Sequence, residues 1–581
     1  MKLIEALNIV RSSSVTRPGE PFKVYLACGF IPLHLSTFLA AQLTELLPAR
    51  RAEIEVGLYG DLTGNLRLLK DSAATVGAVV IEWADLDPRL GLRSRAGWGV
   101  KVLQDVVSEM ESNTSRLLHS LAEAAQTKPL SICLPTLPLP PFSYHSNAQA
   151  GSYQLQLAGA VNRFALAAAQ LPNVKIVNSQ TLDNESPPSE RLDVKSEFAA
   201  GFPYRMPHAS KVAAQLARLI QPPPPRKGLI TDLDDTLWRG LVGEEGVAGV
   251  SWDLDGRSHI HALYQQLLGA LSESGVLVGV ASKNDPGLMS QVFDREDLLI
   301  PKSHLFPLEI NWQPKSQSVS RILKTWNINA DSVVFVDDSP LELAEVKSAH
   351  PEMECLLFPR ADDQAAYQLF ERLRDLFGKE HILEEDAIRA ASIRRAEEFL
   401  IHEKQDSAEL LDSFLEQVEA ELSCYPTPDA FEERAFELIN KTNQFNLNGR
   451  RFTKAELQSF LNSPDAFFLL LSYRDKYGPL GKIAVMLGQR AYSKLKITTW
   501  VMSCRAFGRR IEHKSLDYLF EKLGINEIEF DYVPTDRNKP MAEFLRAVKG
   551  AEPGPSCTLT KGDFVSNRPA LFHEVKELVD V

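Results

Sequence analysis

Cysteine is the first scarcity. Six thiols are scattered over 581 residues, at 28, 133, 355, 424, 504 and 557, and no two form a CxxC pair. A zinc site or a disulfide framework needs a closer or more regular set, so neither organises this chain, and reduced thiols in a cytoplasm are expected. Long apolar runs are missing as well. "AFFLLLSY" and "VLVGVAS" are strand-sized against the ~20 residues of a membrane span, so no membrane partner is expected. Positive charge is not in excess. The formal net charge is −13, which gives no basic footprint for nucleic acid. "MKLIEALNIV" at the start has no long apolar core and no cleavage signature, so no export signal is expected. There is no internal repeat.

What is present is ordinary for a soluble globular chain: 44% apolar and 24% charged residues. The length exceeds one hydrophobic core and suggests roughly three domains. Four prolines in "QPPPPR", Gln221 to Arg226, favour an extended spacer. From Lys379 to Leu422 the chain is charged and helix-periodic without glycine or proline, as a connector of two helices would be. The expected organisation is an α/β domain over 1–222, a second α/β domain over 223–378, the connector over 379–422 and a C-terminal α+β domain over 423–581.

The middle region carries the strongest chemistry. "GLIT", "VLVGVAS" and "SVVFVDD" alternate with helical runs, which predicts a parallel sheet flanked by helices. Ligands of such sheets gather at the carboxyl ends of the strands, and each strand there ends in a polar group. The first ends in Asp232, with Asp234 and Thr236 beyond it. The second ends in Ser282, followed by Lys283 and Asn284. Lys315 precedes a helix in "NWQPKSQS", and the last strand ends in Asp337 and Asp338. Mg²⁺ takes oxygen ligands, which Asp232, Asp337 and the backbone carbonyl of Asp234 can supply. A carboxylate such as Asp232 can attack phosphorus. Asp234 can protonate the leaving oxygen and later activate water. Ser282 and Lys315 can hold the charge of the transferring group, with Thr236 and Lys283 as further phosphate contacts.

Four ordered motifs, "DLDDT", Ser282, Lys315 and Asp337/Asp338, resemble the haloacid dehalogenase (HAD) phosphatase superfamily, with room for only a minimal cap between Asp232 and Ser282. "LDDTLWRGLVGEEG", "ASKNDP", "FVDDSPLELAEV", "LINKTNQFNLNGRRFT", "MSCRAFGRRIEH" and "YVPTDRNKPMAEFL" are similar to the FkbH-like branch, over roughly residues 227 to 550. The resemblance implies a Mg²⁺-dependent enzyme that takes 1,3-bisphosphoglycerate and loads a glyceryl thioester onto an acyl carrier protein of a polyketide pathway. Cys504 would attack the C1 acyl phosphate, and Asp232 would remove the C3 phosphate. The competing expectations are a plain Mg²⁺-dependent phosphatase of a small metabolite and a carrier-protein interaction module.

The flanking regions carry weaker signals. The order of strands and helix around "SCRAFGRR" resembles the acyl-CoA N-acyltransferase (GNAT) fold, where a basic loop at a helix N-terminus holds an anion. That nominates Arg505, Gly508, Arg509 and Arg510. The same surroundings would lower the Cys504 thiol pKa and favour it as a nucleophile, whereas Cys355 and Cys424, with apolar neighbours, read as small buried hydrophobes. Asn443, Gln444 and Asn446 can hydrogen-bond a polyol or equally cap a helix and fill a turn. Thr535 and Asn538 carry the same two readings. The N-terminal region resembles a degenerate SGNH-hydrolase-type doubly wound domain. Cys28 or Gly29 stands where that family has its serine, His208 matches its late histidine, and Arg205 replaces its aspartate. A docking or substrate-shaping domain is the alternative to a Cys28 nucleophile.

Overall fold

The computed structural model describes the chain apart from residues 18, 48–49, 96–97, 142–152, 224–225, 380–411, 413–414, 427–432, 477, 504–505, 536, 555–556 and 578–581. It divides into two compact units, Met1–Pro223 and Pro224–Val581, with the break inside the proline run. Most of the expected helical connector lies outside the described residues. At its far end, Glu421 and Leu422 belong to a strand.

The first unit is built on five parallel strands: β1 (Phe22–Cys28), β2 (Ala52–Val56), β3 (Val76–Val80), β4 (Leu130–Cys133) and β5 (Val174–Ile176), in the order β2-β1-β3-β4-β5. Every residue of β3 and β4 is buried, because helices cover both faces of a parallel sheet. The direction of progression reverses between β1 and β3, which opens a crevice position at their carboxyl ends.

The second unit holds two sheets. The first is again fully parallel: β6 (Gly228–Thr231), β7 (Leu277–Ser282), β8 (Leu305–Ile310), β9 (Val333–Asp337) and β10 (Glu354–Leu357), in the order β10-β9-β6-β7-β8. The chain steps outward from β6 to β7 and β8, then returns to the other side of β6 for β9 and β10. This brings the carboxyl ends of β6 and β9 side by side, at the switch point of the sheet. Parallel pairing requires a crossover each time, supplied here by helices such as His259–Glu273 and Lys315–Trp326. The latter packs close. A Cβ added at Gly228 or Gly279 would lie 2.6 or 2.8 Å from the Trp326 ring, so the two glycines admit a fully buried indole.

The second sheet of this unit has eight strands: β11 (Glu421–Tyr425), β12 (Phe445–Asn446), β13 (Ala466–Asp475), β14 (Gly478–Ala491), β15 (Lys494–Met502), β16 (Glu527–Phe530), β17 (Cys557–Thr560) and β18 (Glu574–Glu577). It is mostly antiparallel, with β15–β16 and β11–β18 as parallel pairs. Among the described residues no helix is long and apolar enough to cross a membrane.

Candidate active site

Asp232 follows directly on β6, and its backbone N–H donates to the Val336 carbonyl of β9 at 3.0 Å. The chain then turns sharply. The Leu233 carbonyl accepts from the N–H groups of Thr236, Leu237 and Trp238, and Asp235 adopts a left-handed φ of 52°. The turn aims Asp234 back across the strand ends. Its carboxylate accepts from Trp238 Nε1 at 2.9 Å and Asn284 Nδ2 at 3.1 Å. Burial, and further down the Asp232 charge, raise the Asp234 pKa against the pull of these donors.

Lys315 begins its helix at the foot of this turn. Its Nζ lies 2.9 Å from Asp232 Oδ2 and 2.6 Å from Asp337 Oδ2, and it also pairs with Glu342. Burial alone would lower the ammonium pKa, but the three carboxylates outweigh it and the net shift is upward. Asp232, Asp337 and Glu342 present ligand oxygens that all lie within 4.8 Å of one another. Asp337 is fully buried beside Asp232, and its pKa is raised by burial and by that neighbouring charge. Burial also pushes Glu342 upward, but Lys315 and Lys283 reverse this and hold it below the usual range. Asp232 Oδ1 is enclosed without a hydrogen-bond partner.

The other nominated groups of this edge are close but differently engaged. Ser282 ends β7 buried, and its Oγ accepts from Asn284 Nδ2 at 3.3 Å. Lys283 pairs with Glu342 at 3.1 Å and Glu345 at 3.7 Å, so its ammonium is already matched to carboxylates. Thr236 is wholly buried with its hydroxyl unpartnered, inside the turn under Asp234. Asp338 is raised to about 6 by burial and by Asp232, against the opposing charge of Arg360 at 3.2 Å.

Three contributors escaped the sequence: Glu342, Asn284 as a partner of Asp234, and Arg360, which bridges Asp235 and Asp338. Glu342 had a signal. Ser339-Pro340 opens a helix, and an acid three residues after a serine cap reads as a capping box. Ser339 does cap the helix, accepting from the Glu342 N–H at 3.4 Å, but the Glu342 carboxylate goes to the lysines instead.

Elsewhere the structure corrects the expectations. Arg509 is 2% exposed and turned inward, its Nε 3.4 Å from Asp475 and its guanidinium 5.8 Å from the Tyr473 ring centroid. A buried, paired guanidinium is packing, not an anion receptor. Arg510 pairs with Asp412 at 2.6 Å and donates to the Ala570 carbonyl at 3.0 Å. Gly508 takes a left-handed φ of 77°, a turn role. Cys504 and Arg505 lie outside the described residues. Asn446 is 1% exposed and fills a turn, accepting from the Asn448 and Gly449 N–H groups and donating to the Thr442 carbonyl. Asn538, equally buried, donates to the Asn446 and Val533 carbonyls and accepts from the N–H of the exposed Thr535. These two asparagines therefore hold loops and do not face a substrate. Asn443 and Gln444 line a pocket at the amino ends of the parallel strands.

In the first unit, Cys28 is buried and its thiol donates to the Phe30 carbonyl at 3.2 Å. Burial raises its pKa far above the ordinary thiol range, which removes it as a nucleophile. His208 is equally enclosed, 2.9 Å from both Thr136 Oγ1 and Ser186 Oγ. Thr136 gives its own proton to Glu82 at 2.6 Å, so His208 must donate to it through Nε2 and accept from Ser186 at Nδ1. Burial, then the Arg191 charge, lower its pKa to about 3. That is a neutral core histidine.

No protein-family model matches the chain, and no curated protein matches it. Among solved structures it is similar to the N-terminal part of the protein BF1531 from Bacteroides fragilis, which contains a phosphatase domain complexed with Mg. The identity is 19% and the TM-score 0.53, over 65% of this chain and 99% of that one. A protein from Corynebacterium glutamicum is also matched, at 20% identity over 26% of this chain and 98% of that one, but with a TM-score of 0.19. The first likeness establishes the fold. This is a multidomain α/β chain with parallel, Rossmann-like sheets.

Proposed function

We propose that the chain is a Mg²⁺-dependent phosphohydrolase of the HAD type that works through an aspartyl-phosphate on Asp232. The observation that carries this reading is the convergence of Asp232, Asp337 and Glu342 around Lys315 at the switch point. These residues suit the metal. The donors are three carboxylates, hard oxygens that suit a divalent cation, and Asp232 Oδ1 is buried without a partner, a costly state that a cation relieves. Bound there, Mg²⁺ supplies charge neutralisation for the transferring phosphoryl group. The BF1531 structure, with its phosphatase domain and Mg, supports the same assignment.

The protein groups divide the work. Asp232 attacks phosphorus, forming one P–O bond while the bond to the leaving oxygen breaks and its electron pair stays on that oxygen. Asp234, whose raised pKa keeps a proton available, donates it to the leaving oxygen. As a carboxylate it then takes a proton from water, which attacks the same phosphorus and frees Asp232 and inorganic phosphate. Lys315 holds the anionic oxygens and the carboxylates in one array. Phosphate release from p-nitrophenyl phosphate in Mg²⁺ is the test. Asp232→Asn is expected to lose about 10³-fold or more, and a wild-type rate in that variant would overturn the reading.

The finer proposal is that the phosphate comes from a glyceryl unit of 1,3-bisphosphoglycerate, passed through Cys504 to the phosphopantetheine thiol of an acyl carrier protein. The sulfur would attack C1, forming C–S as C–O breaks and phosphate departs with the electron pair; the carrier thiol would then displace Cys504. The motif resemblance over residues 227 to 550 supports it. A GNAT-like C-terminal domain is supported by the parallel β15–β16 pair in a mixed sheet, and an SGNH-like first domain by the order β2-β1-β3-β4-β5. Intact-mass measurement after mixing with substrate checks the thiol: an acyl adduct that persists in Cys504→Ala would exclude it.

A further inference from the structure

We infer that the second unit carries another small-molecule site, at the amino ends of the parallel strands and opposite the carboxylates, which takes the hydroxylated end of a triose-sized compound. A pocket of about 70 Å³ lies there, walled by Lys227, Asn327 and Ser332 from the parallel-sheet domain and by Asn443, Gln444 and Ser503 from the eight-stranded one. Lys227 immediately precedes β6 and Ser332 immediately precedes β9, whereas Asp232 and Asp337 stand at the far ends of the same strands. Asp232 stands five steps along the extended chain from Lys227, roughly 16 Å at the rise of a strand.

The two walls are tied together around the pocket. Lys227 Nζ donates to the Lys441 carbonyl at 3.1 Å, and Arg537 pairs with Asp331 at 2.5 Å. The polar lining is amide and hydroxyl with one cation, Lys227, and no carboxylate, and Ile328 and Met502 add an apolar part to the wall. Gln444 Oε1 is enclosed and accepts no hydrogen bond. A buried acceptor needs a donor, and a ligand hydroxyl supplies one. The size sets the class. The volume is about half the ~150 Å³ of an engineered cavity that takes benzene, so it admits a few heavy atoms and excludes a nucleotide or a sugar ring.

The separation has a chemical consequence. A three-carbon acid bearing phosphates is too short to reach both ends of these strands. Phosphate removal at Asp232 and recognition of the hydroxylated carbons are therefore successive events on a molecule that moves between two places. The choice of a triose acid as occupant rests on the glyceryl reading; the site itself rests on the pocket.

The experiment is a saturation-transfer NMR titration of the full chain with D-glycerate, and with propionate as the carboxylate that lacks hydroxyls. Saturable glycerate binding is expected, with propionate at least tenfold weaker. Gln444→Met should weaken glycerate at least tenfold without changing the melting temperature or p-nitrophenyl phosphate hydrolysis. Ser332→Met, which fills the pocket from the other wall, should do the same. Asp232→Asn should bind glycerate as the wild type does. Equal binding of propionate, no saturable glycerate binding, wild-type binding by both pocket variants, or loss of binding in Asp232→Asn would each overturn the inference. If the wild type fails to hydrolyse p-nitrophenyl phosphate while glycerate behaves as expected, the phosphohydrolase reading falls and the pocket stands.

Discussion

Lys315 sits among three carboxylates, and the residue that decides their balance is Glu342. Removing its charge takes away one of the three anionic oxygen donors and leaves only Asp232 and Asp337 beside the Lys315 ammonium. Glu342→Gln is therefore expected to raise the Mg²⁺ concentration for half-maximal phosphate release by about tenfold or more, with the rate recovering at saturating Mg²⁺. A Mg²⁺ titration of activity checks this, and an unchanged midpoint would remove Glu342 from the site. The sequence showed Asp232, Asp234, Ser282, Lys315 and Asp337 because each stands at a strand end or helix start inside a local motif. It hid Glu342 because a local rule, the capping box, explains the same spacing. The basic loop misled in the converse way. Three arginines before a helix suggest an anion site, but the carboxylate that takes Arg509 is Asp475, 34 residues earlier, and nothing local announces it.

The elements that make the site depend on one close approach. The helix that begins with Lys315 ends with Trp326, whose indole lies on Gly228 and Gly279. A methyl at Gly279 would meet Trp326 Cζ2 at 2.8 Å and Cη2 at 3.1 Å, inside van der Waals contact with a ring that has no room to move. Gly279→Ala should cost about 1–3 kcal/mol by overpacking, read as a lower denaturation midpoint at unchanged slope. Neutrality would mean that the helix is free to ride outward. At this scale the sequence was legible where burial is complete. β6, β7 and β9 are wholly buried runs and stand out as apolar. β8, "LFPLEI", is an edge strand that carries a proline and is mostly half-buried, and β10 closes the other edge with an exposed end. Edge strands tolerate proline and polar residues, so their pattern resembles a loop.

The whole chain holds separate cores, and acid should distinguish them. In the first unit His208 stays neutral down to about pH 3, whereas an unfolded histidine gains its proton near pH 6.5. Between these values the unfolded chain binds one more proton, so stability is present above about pH 6.5 and is lost as the pH falls. Asp85, raised to about 7 by burial, works in the opposite direction and loses stability as the pH rises from about 4 to 7. Comparison with a variant isolates the histidine. In His208→Gln the acid limb should flatten by about 1.4 kcal/mol per pH unit below 6.5, measured by urea denaturation at pH 6.5 and 5. Parallel limbs would mean that His208 titrates normally.

The proposed phosphatase residues all belong to Pro224–Val581. A fragment of residues 224–581 is accordingly expected to release phosphate in Mg²⁺ within a few-fold of the full chain, and to keep doing so at a pH where the first unit has unfolded. Its activity at pH 5, set against that of the full chain, is the measurement. If the fragment folds, as its circular dichroism would show, and yet releases no phosphate, the first unit completes the site, and the carboxylates at the switch point are then only half of the enzyme.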